Sequence, residues 1–287
     1  MSKTCVTYPI VAALLKAEEL VKPVKGWAAN NEIQRVFLEK FFSECREEIS
    51  RIPEIESIAS WSADVINRFL KERGFSIQLQ PFNSLTFGVA SVLDVLVEWL
   101  NKGDVTSIKK GRVTYPAVKI DSKHADFFET SAHENPIVCL HTKSRDLVHM
   151  TILDNAPDGF DMVEKAQELS KGREGYNFSS VVFPMVSLNQ QVDISWLIGL
   201  RTTGANELPA IITQALQQTK LRMNEKGARA QSAVAIAIIR GGFSPEKQYV
   251  IDKPFLFWIT RPGICKPLFV AYVTEDDWKN PGSIRTK

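Results

Sequence analysis

Met223-Asn224-Glu225-Lys226-Gly227-Ala228-Arg229-Ala230-Gln231-Ser232-Ala233-Val234-Ala235-Ile236-Ala237-Ile238-Ile239 is the stretch on which the reading of this chain turns. It opens with a charged turn at Asn224 to Gly227. Thirteen residues then follow, Ala228 to Arg240, without glycine, proline or an acid. At a period of two, one face is Ala228, Ala230, Ser232, Val234, Ile236 and Ile238, all small or apolar. The opposite face carries Arg229 and Gln231, the long polar groups. A strand with one buried face reads this way. The five alanines leave a helix open as the alternative, since alanine is the strongest helix former. Beyond the run, Arg240-Gly241-Gly242-Phe243-Ser244-Pro245 reads as an exposed tip, the kind of site proteases cut. A strand-like segment joined to a cleavable tip points to a mechanism as well as a fold.

Glu225-Lys226-Gly227 followed by small residues resembles the hinge of the reactive-centre loop in the serpin family. Downstream, Val250-Ile251-Asp252-Lys253-Pro254-Phe255-Leu256-Phe257-Trp258-Ile259 is similar to the strand that follows that loop. Pro267-Leu268-Phe269-Val270-Ala271-Tyr272-Val273 is similar to the family's closing strand. The three motifs fall in the family's order, with the loop slightly long. Further upstream the resemblance continues more loosely. Phe183 to Leu188 with Val192-Asp193-Ile194, Leu147 to Leu153, and Tyr8-Pro9-Ile10-Val11 each resemble a family segment. Trp99 with Ile108 matches a helix motif, and Val113 to Ile120 a central strand. The chain is shorter than a typical serpin. The resemblance implies losses at the first helix, between Val36 and Ser57, and among strands between Ile120 and Ile137.

Size and composition agree with a folded domain. The chain has 287 residues, 44% of them hydrophobic and 24% charged, within the globular range. A net charge of +2 gives no footprint for nucleic acid. Lys109-Lys110-Gly111-Arg112 reads as a solvated turn, and no apolar run approaches a membrane span. Lys3 and Tyr8-Pro9 break up the first residues, so no leader peptide is read there and a cytoplasmic location is expected. Cys5, Cys45, Cys139 and Cys265 are scattered, as expected of reduced thiols. The sequon at Asn177 matters only in a secreted chain.

Helices are expected over Val11 to Leu20, Glu32 to Ile52, Phe87 to Leu100 and Gly159 to Leu169. Ile55 to Glu72 reads as strand and helix mixed. Strands are expected at Phe75 to Gln80, Val113 to Ile120, Ile137 to Leu140, Leu147 to Leu153, Val181 to Leu188, Lys220 to Met223, Tyr249 to Ile259 and Leu268 to Val273. The expectation is a single α+β domain over 1–287, serpin-like, with helices packed on a large mixed or antiparallel central sheet.

No catalytic or nucleotide-binding motif is present, so an enzyme, a metal and a cofactor are not expected. His124, His133, His141 and His149 cluster in sequence, but strand alternation is expected to scatter them between faces.

For the resemblance, the implied chemistry is inhibition of a serine or cysteine protease. The protease cuts the loop, the freed segment enters the sheet as a new strand, and the acyl-enzyme is trapped. Loop insertion of this kind is an established general mechanism. The hinge would be Glu225, Lys226, Gly227, Ala228, Ala230, Ser232 and Val234, in a loop spanning about 225–248. Counting from Gly227 reaches Gly241, and counting back from Pro254 reaches Phe243. Between them, Arg240-Gly241 is the candidate bond, suited to a trypsin-like acidic pocket. An ordinary surface arginine is the plain alternative. The polar cluster of inhibitory serpins is matched here by Tyr8, Val11, Pro116 and Gln217, and a tryptophan by His124. These departures favour a second reading, a non-inhibitory serpin-fold protein that binds a partner without cutting. Neither reading involves nucleic acid or a membrane. Compact size also fits a viral host-defence protein.

Overall fold

The computed structural model describes the whole chain except residues 84–86, 145, 176–177, 206, 229–246 and 285–287. Contacts divide it into two compact units, one of residues 1–5, 96–189 and 220–287, the other of 6–95 and 190–219.

The first unit is built on a seven-stranded antiparallel sheet. Its strands lie in the order Lys3–Cys5, Phe269–Val273, Phe255–Thr260, Leu147–Ile152, His133–His141, Ala125–Thr130 and Arg173–Glu174. Phe255 to Ile259 and Phe269 to Val273 are buried on both faces, which explains why both strands read as unbroken apolar runs. Helix Phe160–Leu169 packs on the strands at one edge, following Gly159 at φ +55°. Ala125–Thr130 lies within the interval from which strands were expected to be lost.

A second sheet of four strands runs Gln248–Val250, Ser180–Pro184, Val113–Asp121, Asp104–Lys110. Two expected strands prove to be shared between sheets, each broken at a proline that has no N–H to offer a ladder. After Pro184 the chain turns at Met185, whose N–H donates to Pro116 O at 2.8 Å. Val186–Val192 then pairs with Gln217–Met223 instead. Before Pro254, Gln248–Val250 belongs to the four-stranded sheet, and Phe255–Thr260 to the seven-stranded one.

The second unit holds most of the helix. Tyr8–Val21 carries Pro9 near its start, where a missing N–H costs nothing. It buries Ile10, Val11, Leu14 and Ala17, and ends at Lys22 in the left-handed conformation. The helical run expected from Glu32 is present to Arg51, as α-helix, then a π turn at Leu38–Phe42, then a 3-10 turn at Arg46–Arg51. Gln34 is fully buried in this run and fully bonded. Its Nε2 donates to Trp196 O at 2.8 Å and Ile198 O at 3.1 Å, and its Oε1 accepts from Asn30 N at 2.6 Å.

Two expectations fail in this unit. Phe87 to Leu100 is not a helix. Gly88–Leu93 is a strand with every second side chain buried, paired antiparallel to Ile55–Ser60. The small and branched residues of Gly-Val-Ala-Ser-Val-Leu suit a half-buried pleat better than a helix. Phe75 to Gln80 alternates in burial as expected, yet it joins no ladder. Side chains take the place of a neighbouring strand. Leu79 N donates to Asn67 Oδ1 and Gln80 N to Gln214 Oε1, both at 2.8 Å, and Ser76 N to Gln218 Oε1 at 2.8 Å. Phe75, Ile77 and Leu79 thereby lie over the buried Ile66, Leu70, Ala90 and Val92.

Candidate functional site

The site begins where strand Gln217–Met223 ends. Asn224 and Gly227 close a tight turn. Asn224 N donates to Gly227 O at 3.0 Å, and Gly227 N to Asn224 O at 3.3 Å. Inside it, Lys226 N donates to Asn224 Oδ1 at 2.9 Å. Gly227 has φ +152°, a conformation that favours a residue without a side chain. The backbone then straightens, and Gly227–Ala228 forms a two-residue antiparallel ladder with Val97–Glu98, Gly227 opposite Glu98 and Ala228 opposite Val97.

Trp99 fixes this junction. It is 2% exposed and meets Phe183 edge to face at 6.0 Å. Its indole Nε1 donates to Asn224 O at 3.0 Å, and its backbone N to Lys226 O at 3.3 Å. Gly103 N donates to Glu225 O at 2.8 Å. On the far side, Lys143 grips Glu98 twice, through its N–H to Glu98 O and its Nζ to Glu98 Oε2, both at 2.9 Å. The turn and its receiving strand are therefore held by a network of directional bonds around a buried aromatic ring.

The hinge residues read from sequence fall into two groups. Glu225 is half-buried, Lys226 is exposed, and Gly227 and Ala228 are buried in the ladder. Ala230, Ser232, Val234, Arg240 and Gly241 lie outside the described residues. The receiving strand and Trp99 were missed, because the sequence there was read as helix. Trp99 and Ile108 share no helix either, since Ile108 sits on strand Asp104–Lys110. Val113–Asp121, whose residues Val113 to Ile120 were expected as a central strand, lies inside the four-stranded sheet between Ser180–Pro184 and Asp104–Lys110. Pro116, matched from sequence to the polar cluster, is opposite Ser107 in that sheet. The tryptophan at the hinge is Trp99, while His124 occupies a short turn and contacts Asn101. Tyr8 and Gln217 are hydrogen-bonded within the second unit, Tyr8 OH to Glu48 Oε2 at 2.6 Å and Gln217 Nε2 to Val6 O at 2.8 Å.

The histidines are also placed differently from expectation. His149 stands directly opposite Cys139, which stands opposite Asp126, and His141 is two residues along from Cys139. Register therefore puts Asp126, Cys139, His141 and His149 on one face of the large sheet. His141 Nε2 bonds Asp126 Oδ2 at 2.6 Å. His149 Nε2 bonds Thr260 Oγ1 at 3.0 Å, and its ring stacks on Trp258 at 5.0 Å. Burial drives the His149 pKa down from the ordinary 6.5 to about 4, because the charged ring would lose its hydration. Burial likewise pushes the Cys139 thiol up to about 12, helped by Asp126, so it is no nucleophile at neutral pH.

His149 gives a pH prediction. Its folded pKa is below its unfolded one, so the unfolded chain binds the proton first as pH falls. Its contribution is complete above about pH 6.5 and is lost progressively down to about pH 4. The total is on the order of 3 kcal/mol. Urea midpoints of wild type and His149→Phe, taken from pH 7 to pH 4, should show the wild type falling relative to the variant as pH falls. Parallel curves would remove His149 as the cause.

No protein-family profile matches the chain. Among curated proteins, it is similar to plasminogen activator inhibitor 1 of Neovison vison, 38% identical over 64 residues. It is also similar to alpha-2-antiplasmin of Mus musculus, 26% identical over 116 residues. These matches cover 22% and 37% of this chain, and only 16% and 22% of the two relatives. Solved structures align over far more. Serpin48 of the insect Tenebrio molitor matches with a TM-score of 0.61 at 16% identity, over 95% of this chain and 91% of its own. Human kallistatin matches at 0.61 and 11% identity, over 98% and 92%. Thyroxine-binding globulin in complex with thyroxine matches at 0.60 and 14% identity, over 95% and 92%. The structural likeness shows the α+β serpin fold, and with the curated matches it makes this a serpin-like protein.

Proposed function

We propose that the protein inhibits a serine protease as a suicide substrate. The observation that carries this reading is the hinge: Gly227 and Ala228 already lie on Val97–Glu98 as the first two rungs of a ladder. In the sequence every second residue from Ala228 to Ile238 is small or apolar, with no proline to interrupt a lengthening strand. One similar protein is named an inhibitor of plasminogen activator and another an antiplasmin. In the proposed reaction the protease serine oxygen attacks the Arg240 carbonyl carbon. The bond to Gly241 breaks, its nitrogen leaves with a proton, and Arg240 remains as an ester on the enzyme. Entry of 229–239 into the sheet then carries the ester away before water reaches it. Arg240 suits a trypsin-like specificity pocket. The four cysteines, scattered along the sequence without a C-x-x-C pair, suit a reducing compartment such as the cytoplasm.

Incubation with trypsin is the test. The reading expects a complex that survives boiling in detergent, and its loss in Arg240→Ala. Complete cleavage with no trapped species would sink it. That outcome would favour the second reading, a serpin-fold binding protein, which the likeness to thyroxine-binding globulin supports.

A further inference from the structure

The segment after the last strand reaches the hinge turn. It starts with a 3-10 turn at Glu275–Asp277, where Glu275 pairs with Lys110. Trp278 follows as an anchor. It is 2% exposed and lies 5.1 Å from the Tyr115 ring and 6.4 Å from that of Phe255. The chain then bends, with Gly282 N donating to Asn280 Oδ1 at 2.9 Å, and Gly282 takes φ +68°. Ile284 is buried again at 2% exposure. Between these two buried side chains, Gly282 O accepts from Asn224 Nδ2 at 3.0 Å.

Asn224 is the joint between the two segments. It is 4% exposed. Its Oδ1 serves its own turn through Lys226 N, and its Nδ2 serves the C-terminal segment. Its carbonyl takes the Trp99 indole. Every polar atom of this residue is thus committed, and one side-chain N–H ties the turn to a segment 58 residues later. A shallow hollow lined by Glu225, Lys226, Asn280 and Ser283 flanks that bond. Buried amides that lose a partner are costly, so the bond couples the turn to the segment energetically.

We propose that Trp278–Ile284 is a latch on the hinge, and that Asn224 is its positioning residue. Held by Trp278 and Ile284, the segment keeps the turn closed and so keeps Gly227 and Ala228 in register on Val97–Glu98. Its displacement frees the turn and permits the loop beyond it to move. The role of the loop rests on the proposed inhibitory function; the latch itself does not.

Native-state hydrogen exchange tests it on the intact protein, through the amides of Gly227, Trp99 and Gly103, all of which donate to the turn. Asn224→Asp keeps the acceptor for Lys226 N and removes the donor to Gly282 O. A variant ending at Lys279 keeps Trp278 and removes the bonded segment. Both should exchange these three amides about tenfold faster or more, with strand Phe255–Thr260 unchanged. Unchanged protection in either variant overturns the latch. So does acceleration confined to Asn224→Asp, which would assign the effect to the turn alone. So does loss of protection throughout the chain in both variants, which would make the segment part of global folding. No protease enters the measurement. A chain that accelerates as expected but traps no trypsin keeps the latch and loses the inhibitory reading.

Discussion

Protein cut between Arg240 and Phe243 unfolds at a higher temperature than the intact chain. The expectation follows from what the freed segment can bury. In an inserted strand Val234, Ile236 and Ile238 would share one face with Ala228, and each would contribute about 1.5–3 kcal/mol when taken fully from water. A new ladder adds net hydrogen bonding of about 0.5–1.5 kcal/mol per bond. Against these stands the cost of ordering each residue, about 1–2 kcal/mol. The ladder already begun at Gly227–Ala228 supplies the register, so nucleation is not repeated. A net gain of a few kcal/mol in a chain of this size corresponds to a rise on the order of 10 °C. Scanning calorimetry of intact and nicked protein measures it directly. Val234→Glu should abolish the rise, because a carboxylate on the inward face would be buried without a partner. An unchanged or lower temperature after nicking would mean that the loop gains nothing by leaving solvent, and that the intact state stores no strain.

Asp146→Ala should be among the most damaging single changes in the chain. The Asp146 side chain is 1% exposed and grips Arg261 in a two-point pair, Nε to Oδ1 at 2.7 Å and Nη2 to Oδ2 at 2.9 Å. Its carbonyl accepts from Thr142 Oγ1 at 2.5 Å, and Oδ2 from Ser144 Oγ at 3.2 Å. Asp146 precedes strand Leu147–Ile152 and Arg261 follows strand Phe255–Thr260, which pair with Leu147 opposite Thr260. The pair therefore closes the end of a central ladder. Removing the carboxylate leaves a largely buried guanidinium without its counter-charge, at a cost of about 3–5 kcal/mol. Replacing both residues, Asp146→Leu with Arg261→Met, should cost distinctly less, since no charge is then stranded. Denaturant midpoints of the single and double variants separate the two contributions. A single-variant loss below about 1 kcal/mol would show that solvent reaches Arg261 freely.

What could be read from sequence was decided by how local the signal is. Tyr8–Val21 and Phe160–Leu169 carry their own periodicity, start and stop, and both were legible. Phe255–Thr260 and Phe269–Val273 were legible because continuous apolar runs of that length suit buried strands. Gly88–Leu93 was not, because its partner, Ile55–Ser60, is distant in sequence and decides between two periods that the residues fit about equally. The same holds for Phe75 to Gln80, whose alternation is real but whose neighbours are the side chains of Asn67, Gln214 and Gln218. At the hinge, the Glu225-Lys226-Gly227 motif was visible and Asn224 was read only as part of a charged turn. Its importance comes from Trp99 and Gly282, and nothing near position 224 announces either. The histidine face required strand register, which spacing along one strand does not provide.

The break at Pro254 has a bearing on what a cut molecule is. The strands after residue 247 are built into sheets: Gln248–Val250 edges one, while Phe255–Thr260 and Phe269–Val273 lie inside another. Scission near Arg240 therefore yields no released peptide. The short C-terminal piece stays enclosed as a non-covalent subunit, and the product is a heterodimer of unequal partners born from one gene. On a denaturing gel it appears as two fragments, and in native mass spectrometry as one particle heavier than the parent by a single water.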